Sequence, residues 1–364
     1  MSDIVISGYH GFANSGDEAL LFAILNTLRD KKPDLDVTVL SKTPDSTSIV
    51  YGVKSVYRYN LFRIIKEMKA SKMLLFGGGS LLQDVTSSKS LLYYLTIISL
   101  AQKCGIKTML YANGVGPISK KFNRRIATKI LNKVDVITLR DDKSDEELKS
   151  MGVTIPQITI TADPAFTLKF TENFSGKYLT NMAGVPDGRK LCVVSIRDWK
   201  KSAQDFETTM AEFCDFMVEK HNIYPLFVPM QYPVDLEISH KVMKKMKHES
   251  YAINRELSVP EMFSVLSGAE LVVGMRLHSL IYATTLGLPA MALVYDPKIS
   301  AFMDSINQPD WVNVETMTTD EAASAFSRIM AELDQRKEQL QQTNKVLKET
   351  AEKNALYAIE LLNK

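Results

Sequence analysis

The 364-residue sequence is poor in cysteine, with only Cys104, Cys192 and Cys214. They form no CxxC pair, and an odd number is unsuited to a disulfide framework. The chain also lacks an excess of charge of one sign, since its formal net charge is +2. No Lys/Arg block stands beside interleaved aromatic residues, which excludes bulk nucleic-acid binding. We therefore expect a reduced, cytoplasmic protein with no nucleic-acid partner.

Long apolar runs and the common catalytic signatures are missing as well. The longest apolar stretch, residues 91–101, is too short to cross a bilayer, and the first residues lack the basic and apolar regions of a secretion signal. No HExxH, HxH or Cys/His cluster predicts a metal, and no GxSxG predicts a serine hydrolase. A P-loop lysine and a GxGxxG are also absent. We expect neither a metal nor a bound cofactor.

What the chain does contain is a regular alternation of strand-like and helix-like segments. This alternation predicts two α/β halves, each a doubly wound parallel sheet. The predicted domains are residues 1–172 and 190–318, separated by a linker over 170–190, and residues 319–364 form a helical segment that packs back across both. Ligands in such sheets bind at the carboxyl ends of the strands, so we expect a cleft there.

Three glycine-rich loops follow predicted strands in the first half. They are Gly8 to Glu18, Gly77 to Asp84 and Asn113 to Pro117. Such loops allow a close approach of backbone to ligand, or they merely need a positive φ, and the sequence favours neither reading. Polar and aromatic side chains on the first two loops suit sugar hydroxyls and sugar faces. These acceptor-binding candidates are His10, Phe12, Asn14, Gln83 and Asp84.

The most informative motif is Arg276-Leu277-His278, where an apolar strand ends and a helix begins. It puts a guanidinium, an imidazole and free helix N–H groups at one strand exit, which suits a phosphate or a carboxylate. Arg140 and Arg197 also end strands, and Lys298 follows the last predicted strand. A strand-terminal Arg more often pairs with a carboxylate than with a ligand, so these two remain open between both interpretations.

Together these segments resemble the polysaccharide pyruvyl transferase family, and most closely the bacterial enzymes that pyruvylate secondary cell-wall polysaccharide. The resemblance implies a GT-B-like fold of two Rossmann-like halves and transfer of pyruvate from phosphoenolpyruvate to a sugar as a ketal. By resemblance, Arg140, Arg276, Leu277, His278 and Lys298 contact the donor. The acceptor implied is an N-acetylmannosamine-containing, lipid-linked precursor, so the enzyme would meet the membrane transiently at its inner face.

The residues fit this chemistry, and two alternatives remain. An imidazole can move protons near neutral pH, so we assign His278 as the acid–base group and Arg276 as its catalytic partner, with Arg197 as a further donor contact. A nucleotide-sugar glycosyltransferase would instead need a ribose-binding carboxylate, for which Glu256 and Glu261 are candidates. A non-catalytic sugar- or anion-binding protein would use the same residues without chemistry.

Overall fold

The computed structural model describes residues 2–85, 87–169, 175–202 and 205–364. The chain forms two compact units that are not contiguous in sequence. Unit 1 comprises Met1–Phe12, Asp17–Leu168 and Leu347–Lys364, and unit 2 comprises Ala13–Gly16 and Lys169–Val346. The predicted terminal segment, residues 319–364, is thus divided between the two units. Each unit is an α/β body built on a parallel sheet, so the predicted fold class is confirmed.

Unit 1 contains a seven-stranded parallel sheet whose strands follow the spatial order β3-β2-β1-β4-β5-β6-β7. Its strands are β1 (Ile4–His10), β2 (Val37–Ser41), β3 (Lys54–Tyr57), β4 (Met73–Gly77), β5 (Lys107–Asn113), β6 (Val136–Leu139) and β7 (Gln157–Ile160). Its helices are α1 (Ser15–Lys31), α2 (Pro44–Tyr51), α3 (Leu61–Lys69), α4 (Ser88–Lys103), α5 (Lys121–Leu131) and α6 (Asp142–Met151), and a 3₁₀ helix covers Pro164–Thr167. The central strands are buried on both faces because helices cover each side of the sheet.

Two apolar cores lie on opposite faces of this sheet. Helices α3 to α6 supply one core, in which Ile64, Leu95 and Leu131 pack on β4 and β5. Helix α1 supplies the other core together with the end of the chain, including Ala355 and Ala358. In the described residues, the strand order reverses between β1 and β4, which is where open α/β sheets place ligands.

Unit 2 contains a six-stranded parallel sheet in the order β10-β9-β8-β11-β12-β13. Its strands are β8 (Leu191–Ser195), β9 (Tyr224–Phe227), β10 (Tyr251–Ala252), β11 (Leu271–Gly274), β12 (Ala290–Val294) and β13 (Trp311–Asn313). Its helices are α7 (Ser175–Met182), α8 (Phe206–His221), α9 (Val234–Lys245), α10 (Val259–Leu266), α11 (Leu277–Thr285), α12 (Pro297–Ser305) and α13 (Thr319–Ala331), and α14 (Leu333–Leu362) begins here. The order reverses between β8 and β11.

The predicted linker is partly wrong, because part of it is folded. Helix α7 occupies Ser175–Met182 and packs against α10, with the backbone N–H of Gly176 donating to Ser264 Oγ at 3.0 Å. Residues 170–174 of the predicted linker lie outside the described residues. Helix α8 begins at Phe206, two residues after residues 203–204, which also lie outside the described residues.

Candidate functional site

The carboxyl edge of the unit 2 sheet gathers most of the predicted donor residues. Strands β8, β11 and β12 are neighbours. Arg197 follows β8, Arg276 and His278 follow β11, and Lys298 follows β12. Helices α11 and α12 begin at this edge, and neither carries an acidic residue in its first turn. The N-terminus of α11 has no carboxylate at its cap and favours an anion, whereas that of α12 is capped by Asp296.

Arg276 is held by the carboxylate of Asp235, which was not predicted from the sequence. Its Nε and Nη2 donate to the two oxygens of Asp235 at 2.7 and 2.6 Å, and Nη2 also donates to Gln231 at 3.0 Å. Asp235 is fully buried, in the first turn of α9. Its partner lies 41 residues away, a distance over which a single sequence carries no pairing signal. The ion pair fixes Arg276 and compensates much of its charge.

Arg197 is the contrasting cation at the same edge. Among the described residues it forms no ion pair with a carboxylate. Its guanidinium lies over the ring of Tyr295, 5.2 Å from the centroid, and Nη1 reaches the Tyr295 hydroxyl at 3.4 Å. The Nε of Arg197 is buried and has no hydrogen-bond partner. Such a group lacks the acceptors that buried guanidinium N–H groups require, so an anionic ligand would complete it.

His278 lies in the first turn of α11, and its ring is 6.2 Å from that of Tyr282. Gly16 packs directly against it, so that a Cβ at position 16 would collide with the imidazole. The short segment containing Gly16 is anchored within unit 2. The Tyr282 hydroxyl donates to the Ser15 carbonyl at 2.7 Å, and Ser15 N–H donates to Met230 at 2.9 Å. The first glycine-rich loop therefore helps to position His278, which the sequence did not reveal.

Leu277 and Lys298 complete the predicted donor set of unit 2. Both are half-buried, Leu277 as the first residue of α11 and Lys298 in the first turn of α12. Asp296 caps α12 by accepting the backbone N–H of Lys298 at 2.9 Å. The cap orders the turn that carries the lysine.

Arg140, the remaining predicted donor contact, belongs to unit 1. Its Nη1 donates to Asp163 at 2.9 Å and its Nη2 to Ser80 at 2.7 Å. Both partners of the ion pair are nearly inaccessible to solvent. Asp163 also caps the 3₁₀ helix Pro164–Thr167 by accepting the Ala165 N–H at 3.0 Å, so the pair ties Arg140 to the start of that helix.

The acceptor candidates on the first loop divide between exposed and buried positions. Phe12 is half-buried and stacks on Tyr9 with ring centroids 4.0 Å apart. His10 is buried, and its ring lies over Gly8. Burial lowers the pKa of His10 to about 3, and Arg58 acts in the same direction. The imidazole is therefore neutral at physiological pH and offers no open edge to a sugar.

Arg58, which the sequence analysis missed, anchors this loop. It is only 3% exposed and forms no ion pair with a carboxylate of the described residues. Its Nη1 donates to the Gly8 carbonyl at 2.9 Å and its Nη2 to the Tyr94 hydroxyl at 3.0 Å. Five rings surround the guanidinium, at 4.8–5.9 Å from their centroids: Tyr9, Phe12, Tyr59, Tyr93 and Tyr94.

The other acceptor candidates have distinct surroundings. Asp84 is buried, and its carboxylate accepts the backbone N–H groups of Ser119 and Lys120 and the Asn123 amide at 2.8–3.0 Å. Burial alone would raise the pKa of Asp84, but these hydrogen bonds lower it. Asp84 thus stabilises the start of α5. Gln83 is half-buried beside it, whereas Asn14 belongs to unit 2 and accepts the Gly16 N–H at 3.1 Å.

The alternative ribose-binding carboxylate, Glu261, is already engaged. It caps α10 by accepting the N–H and hydroxyl of Ser258 at 2.9 and 2.8 Å, and it pairs with Arg255. Glu256 is exposed. Within the described ranges, no three His, Cys, Asp or Glu side chains gather to hold a metal ion. Nor does any helix there have the length and apolar character to span a bilayer.

Comparison with known proteins identifies the family and the fold. Among solved structures, the chain is similar to a putative UDP-N-acetylglucosamine 2-epimerase from Listeria monocytogenes, with 13% identity, a TM-score of 0.69, and coverage of 99% of this chain and 96% of that one. It is also similar to the Anabaena protein HepE in complex with UDP and glucose, at 9% identity and a TM-score of 0.66, with both chains fully covered. At these identities the likeness shows a GT-B-like fold.

Sequence comparison is more specific about function. The amylovoran biosynthesis protein AmsJ of Erwinia amylovora is 22% identical, over 84% of this chain and 86% of that protein. Residues 14–297 match the polysaccharide pyruvyl transferase family. The match takes in Gly16, Arg140, Arg197 and the Arg276-Leu277-His278 triplet. This chain belongs to the polysaccharide pyruvyl transferase family and is a transferase of polysaccharide synthesis.

Proposed function

We propose that the protein transfers pyruvate from phosphoenolpyruvate to two hydroxyls of one sugar and releases phosphate. The sugar would be an N-acetylmannosamine of a lipid-linked cell-wall polysaccharide precursor, met at the inner face of the membrane. The observation that carries the donor assignment is Arg197, a guanidinium without a carboxylate partner in the described residues, at the edge where His278 and two helix N-termini lie. Phosphoenolpyruvate carries a carboxylate and a phosphate, which need several cationic groups in one place.

The reaction gives each of these groups a role. Two sugar hydroxyl oxygens form bonds to C2 of the donor, and the bond from C2 to the phosphate oxygen breaks. One hydroxyl proton ends on the former vinyl carbon, which becomes a methyl group, and the other leaves with the phosphate. His278 would move these protons. Arg197, Lys298 and the N-terminus of α11 would hold the donor and stabilise the leaving phosphate.

Arg276 would contact the donor with only part of its guanidinium group. Asp235 takes Nε and Nη2, which leaves Nη1 directed by a rigid ion pair. A positioned guanidinium of this kind contributes direction with a reduced net charge. The contact of Arg140 with the donor is proposed from the family resemblance alone, since in unit 1 it pairs with Asp163.

The acceptor assignment rests on the first half of the chain. Phe12, on the loop that follows β1, stacks on Tyr9 near the end of that strand, and both rings are partly exposed. An apolar ring face suits a sugar face. Phe12→Ala should raise the acceptor KM more than the donor KM. The opposite pattern would move the acceptor away from this loop.

The decisive test is the identity of the donor. Purified protein is mixed with a lipid-linked, N-acetylmannosamine-containing oligosaccharide and with either phosphoenolpyruvate or a UDP-sugar. We expect acceptor-dependent phosphate release with phosphoenolpyruvate alone. UDP release from a UDP-sugar would instead support a glycosyltransferase, a class consistent with the UDP named for two similar solved structures. Binding of phosphoenolpyruvate without turnover on any acceptor would indicate a binding protein.

A further inference from the structure

Three neighbouring helices of unit 1 break a rule that most of the other helices keep. Helices usually carry acidic residues in their first turn, because the carboxylate offsets the partial positive charge of the N-terminus. Helices α1, α2 and α6 of unit 1 follow this rule, whereas α3, α4 and α5 have no acidic residue there. These three helices lie on the same face of the sheet, where their apolar sides form one core.

Helices α3, α4 and α5 carry a strong excess of positive charge. The three helices hold nine Lys or Arg side chains and a single acidic one, Glu67, although the whole chain has a net charge of only +2. Glu67 is itself neutralised by Lys54, with 2.5 Å between Nζ and the carboxylate. The exposed basic side chains include Arg63, Lys66, Lys69, Lys89, Lys121, Arg125 and Lys129.

Large apolar side chains are exposed among these charges. Phe62 is 84% exposed at the start of α3, Val85 is 68% exposed before α4, and Phe122 is 65% exposed at the start of α5. All three stand where a helix follows a parallel strand, which places them at the carboxyl edge of the sheet. The basic–apolar surface consists of Leu61, Phe62, Val85 and Phe122 together with Arg63, Lys66, Lys69, Lys89, Lys121, Arg125 and Lys129.

Hydrogen bonds and ring contacts connect the helices that carry this surface. Lys120 Nζ donates to Ser88 at 2.8 Å, which joins the starts of α5 and α4. The Tyr93 hydroxyl donates to the Arg58 carbonyl at 2.6 Å, and the ring of Tyr93 lies 5.5 Å from that of Tyr59, which joins α4 to the segment before α3. The same Arg58 lies over Phe12 at 5.1 Å. The buried Arg58 therefore connects the segment before α3 with the proposed acceptor loop.

We infer that the basic–apolar surface binds an anionic lipid bilayer, with Phe62 and Phe122 entering the interface and the lysines and arginines lying against the head groups. Exposed aromatic side chains within a field of Lys and Arg are the combination that holds a protein on such a membrane. This inference deepens the proposed function, because it brings the Phe12 loop to the place where a lipid-linked acceptor is held. The binding itself does not depend on the reaction.

Vesicle sedimentation tests the inference with matched variants. Phe62→Glu is compared with Ile49→Glu, since Ile49 is also 84% exposed but lies on α2, whose first turn is acidic. We expect the protein to bind vesicles containing phosphatidylglycerol and not pure phosphatidylcholine, and to bind less as salt is raised. Phe62→Glu should lower partitioning about tenfold or more, and Ile49→Glu should leave it unchanged. Lys66→Gln and Lys121→Gln should each lower partitioning onto the vesicles about fivefold.

Several results would overturn the inference. The protein could show no preference for phosphatidylglycerol, or Ile49→Glu and Phe62→Glu could lower vesicle binding equally. It could also bind soluble dextran sulfate without binding vesicles. Phosphate release from phosphoenolpyruvate on a water-soluble, lipid-free acceptor separates this test from that of the proposed function. Phe62→Glu should retain full activity there. Vesicle binding by a protein with no pyruvyl transfer would refute the proposed function and leave the membrane surface standing.

Discussion

The two sheet edges carry the same three kinds of side chain, of which the first is in the same state at both edges and the other two differ in burial. Each has one arginine paired with a buried aspartate, Arg276 with Asp235 in unit 2 and Arg140 with Asp163 in unit 1. Each also has an arginine that forms no ion pair with a described carboxylate and lies over aromatic rings. In unit 1 that arginine, Arg58, is fully enclosed and donates to two protein acceptors.

Arg197, its counterpart in unit 2, makes one long contact to a tyrosine and keeps a bare Nε. The histidines differ in the same sense, because His10 is buried beneath its loop while His278 is half-buried at a helix start. The two edges differ in enclosure rather than in completed hydrogen bonds, because the Nε of Arg58 and both ring nitrogens of His10 also lack a hydrogen-bond partner among the described residues. Arg58 and His10 are enclosed by protein, whereas Arg197 and His278 are only half-buried and can be reached by a ligand.

Removing His278 should have the largest effect on the reaction. Loss of a general acid–base group costs about 10²–10⁴ in rate, so His278→Ala should lower kcat by that factor and leave donor binding largely intact. Calorimetric titration with phosphoenolpyruvate, beside kcat at saturation, measures both. His240→Ala, at an exposed position, is the control. If His278→Ala abolishes binding but retains kcat, the roles of His278 and Arg276 are reversed.

Gly16→Ala should displace the imidazole of His278 without replacing the histidine itself. The backbone at Gly16 suits any residue, but the added methyl group would push against the His278 ring. Displacement of a catalytic group by about 1 Å can cost on the order of 10²-fold. We expect kcat to fall by that order with an unchanged melting temperature. Gly268→Ala is the control, because its φ is not positive and the added methyl group would meet its nearest atom at an ordinary 3.6 Å. Full activity of Gly16→Ala would show that His278 does not depend on this contact.

These positions show what the sequence could and could not predict. Alternation of apolar and polar segments predicted the two parallel sheets and most central strands, because buried strands are continuous apolar runs. Edge strands such as β3 and β10 were missed, since they are short and half-exposed. The Arg276-Leu277-His278 loop was predicted from its place at a strand exit. Asp235 and Arg58 were not, because their importance comes from partners distant in sequence.

Arg197→Ala tests the comparison of the unpaired arginines. A charge-assisted hydrogen bond is worth about 1.5–3 kcal/mol, so the affinity for phosphoenolpyruvate should fall roughly 10- to 150-fold. Folding should be little affected, because no protein carboxylate loses its partner. Arg276→Ala is the matched variant. It strands the buried carboxylate of Asp235 and should lower the unfolding free energy by about 3–5 kcal/mol. Equal destabilisation by both variants would contradict the distinction drawn between them.

The effect of His10 should appear in the unfolding free energy at acid pH rather than in the catalytic rate. Its pKa of about 3 in the folded protein lies below the usual 6.5. The unfolded chain therefore takes up a proton first, and stability falls as pH drops from about 6.5 towards 3. Each pH unit costs up to about 1.4 kcal/mol from this group. His10→Leu should flatten the decline in denaturant unfolding measured against pH, and His240→Gln should not. An unchanged slope in His10→Leu would mean that the imidazole is not held neutral.

Chelation should have the smallest effect of all. Asp235, the carboxylate paired with Arg276, uses both of its oxygens for that arginine. A divalent ion there would have to compete with the buried pair, and breaking such a pair is costly. The charge of phosphoenolpyruvate can instead be met by Arg197, Lys298 and the N-terminus of α11. Phosphate release should therefore continue at an unchanged rate after exhaustive treatment with EDTA. A loss that Mg²⁺ or Mn²⁺ restores would show that the unit 2 edge is incomplete without a metal.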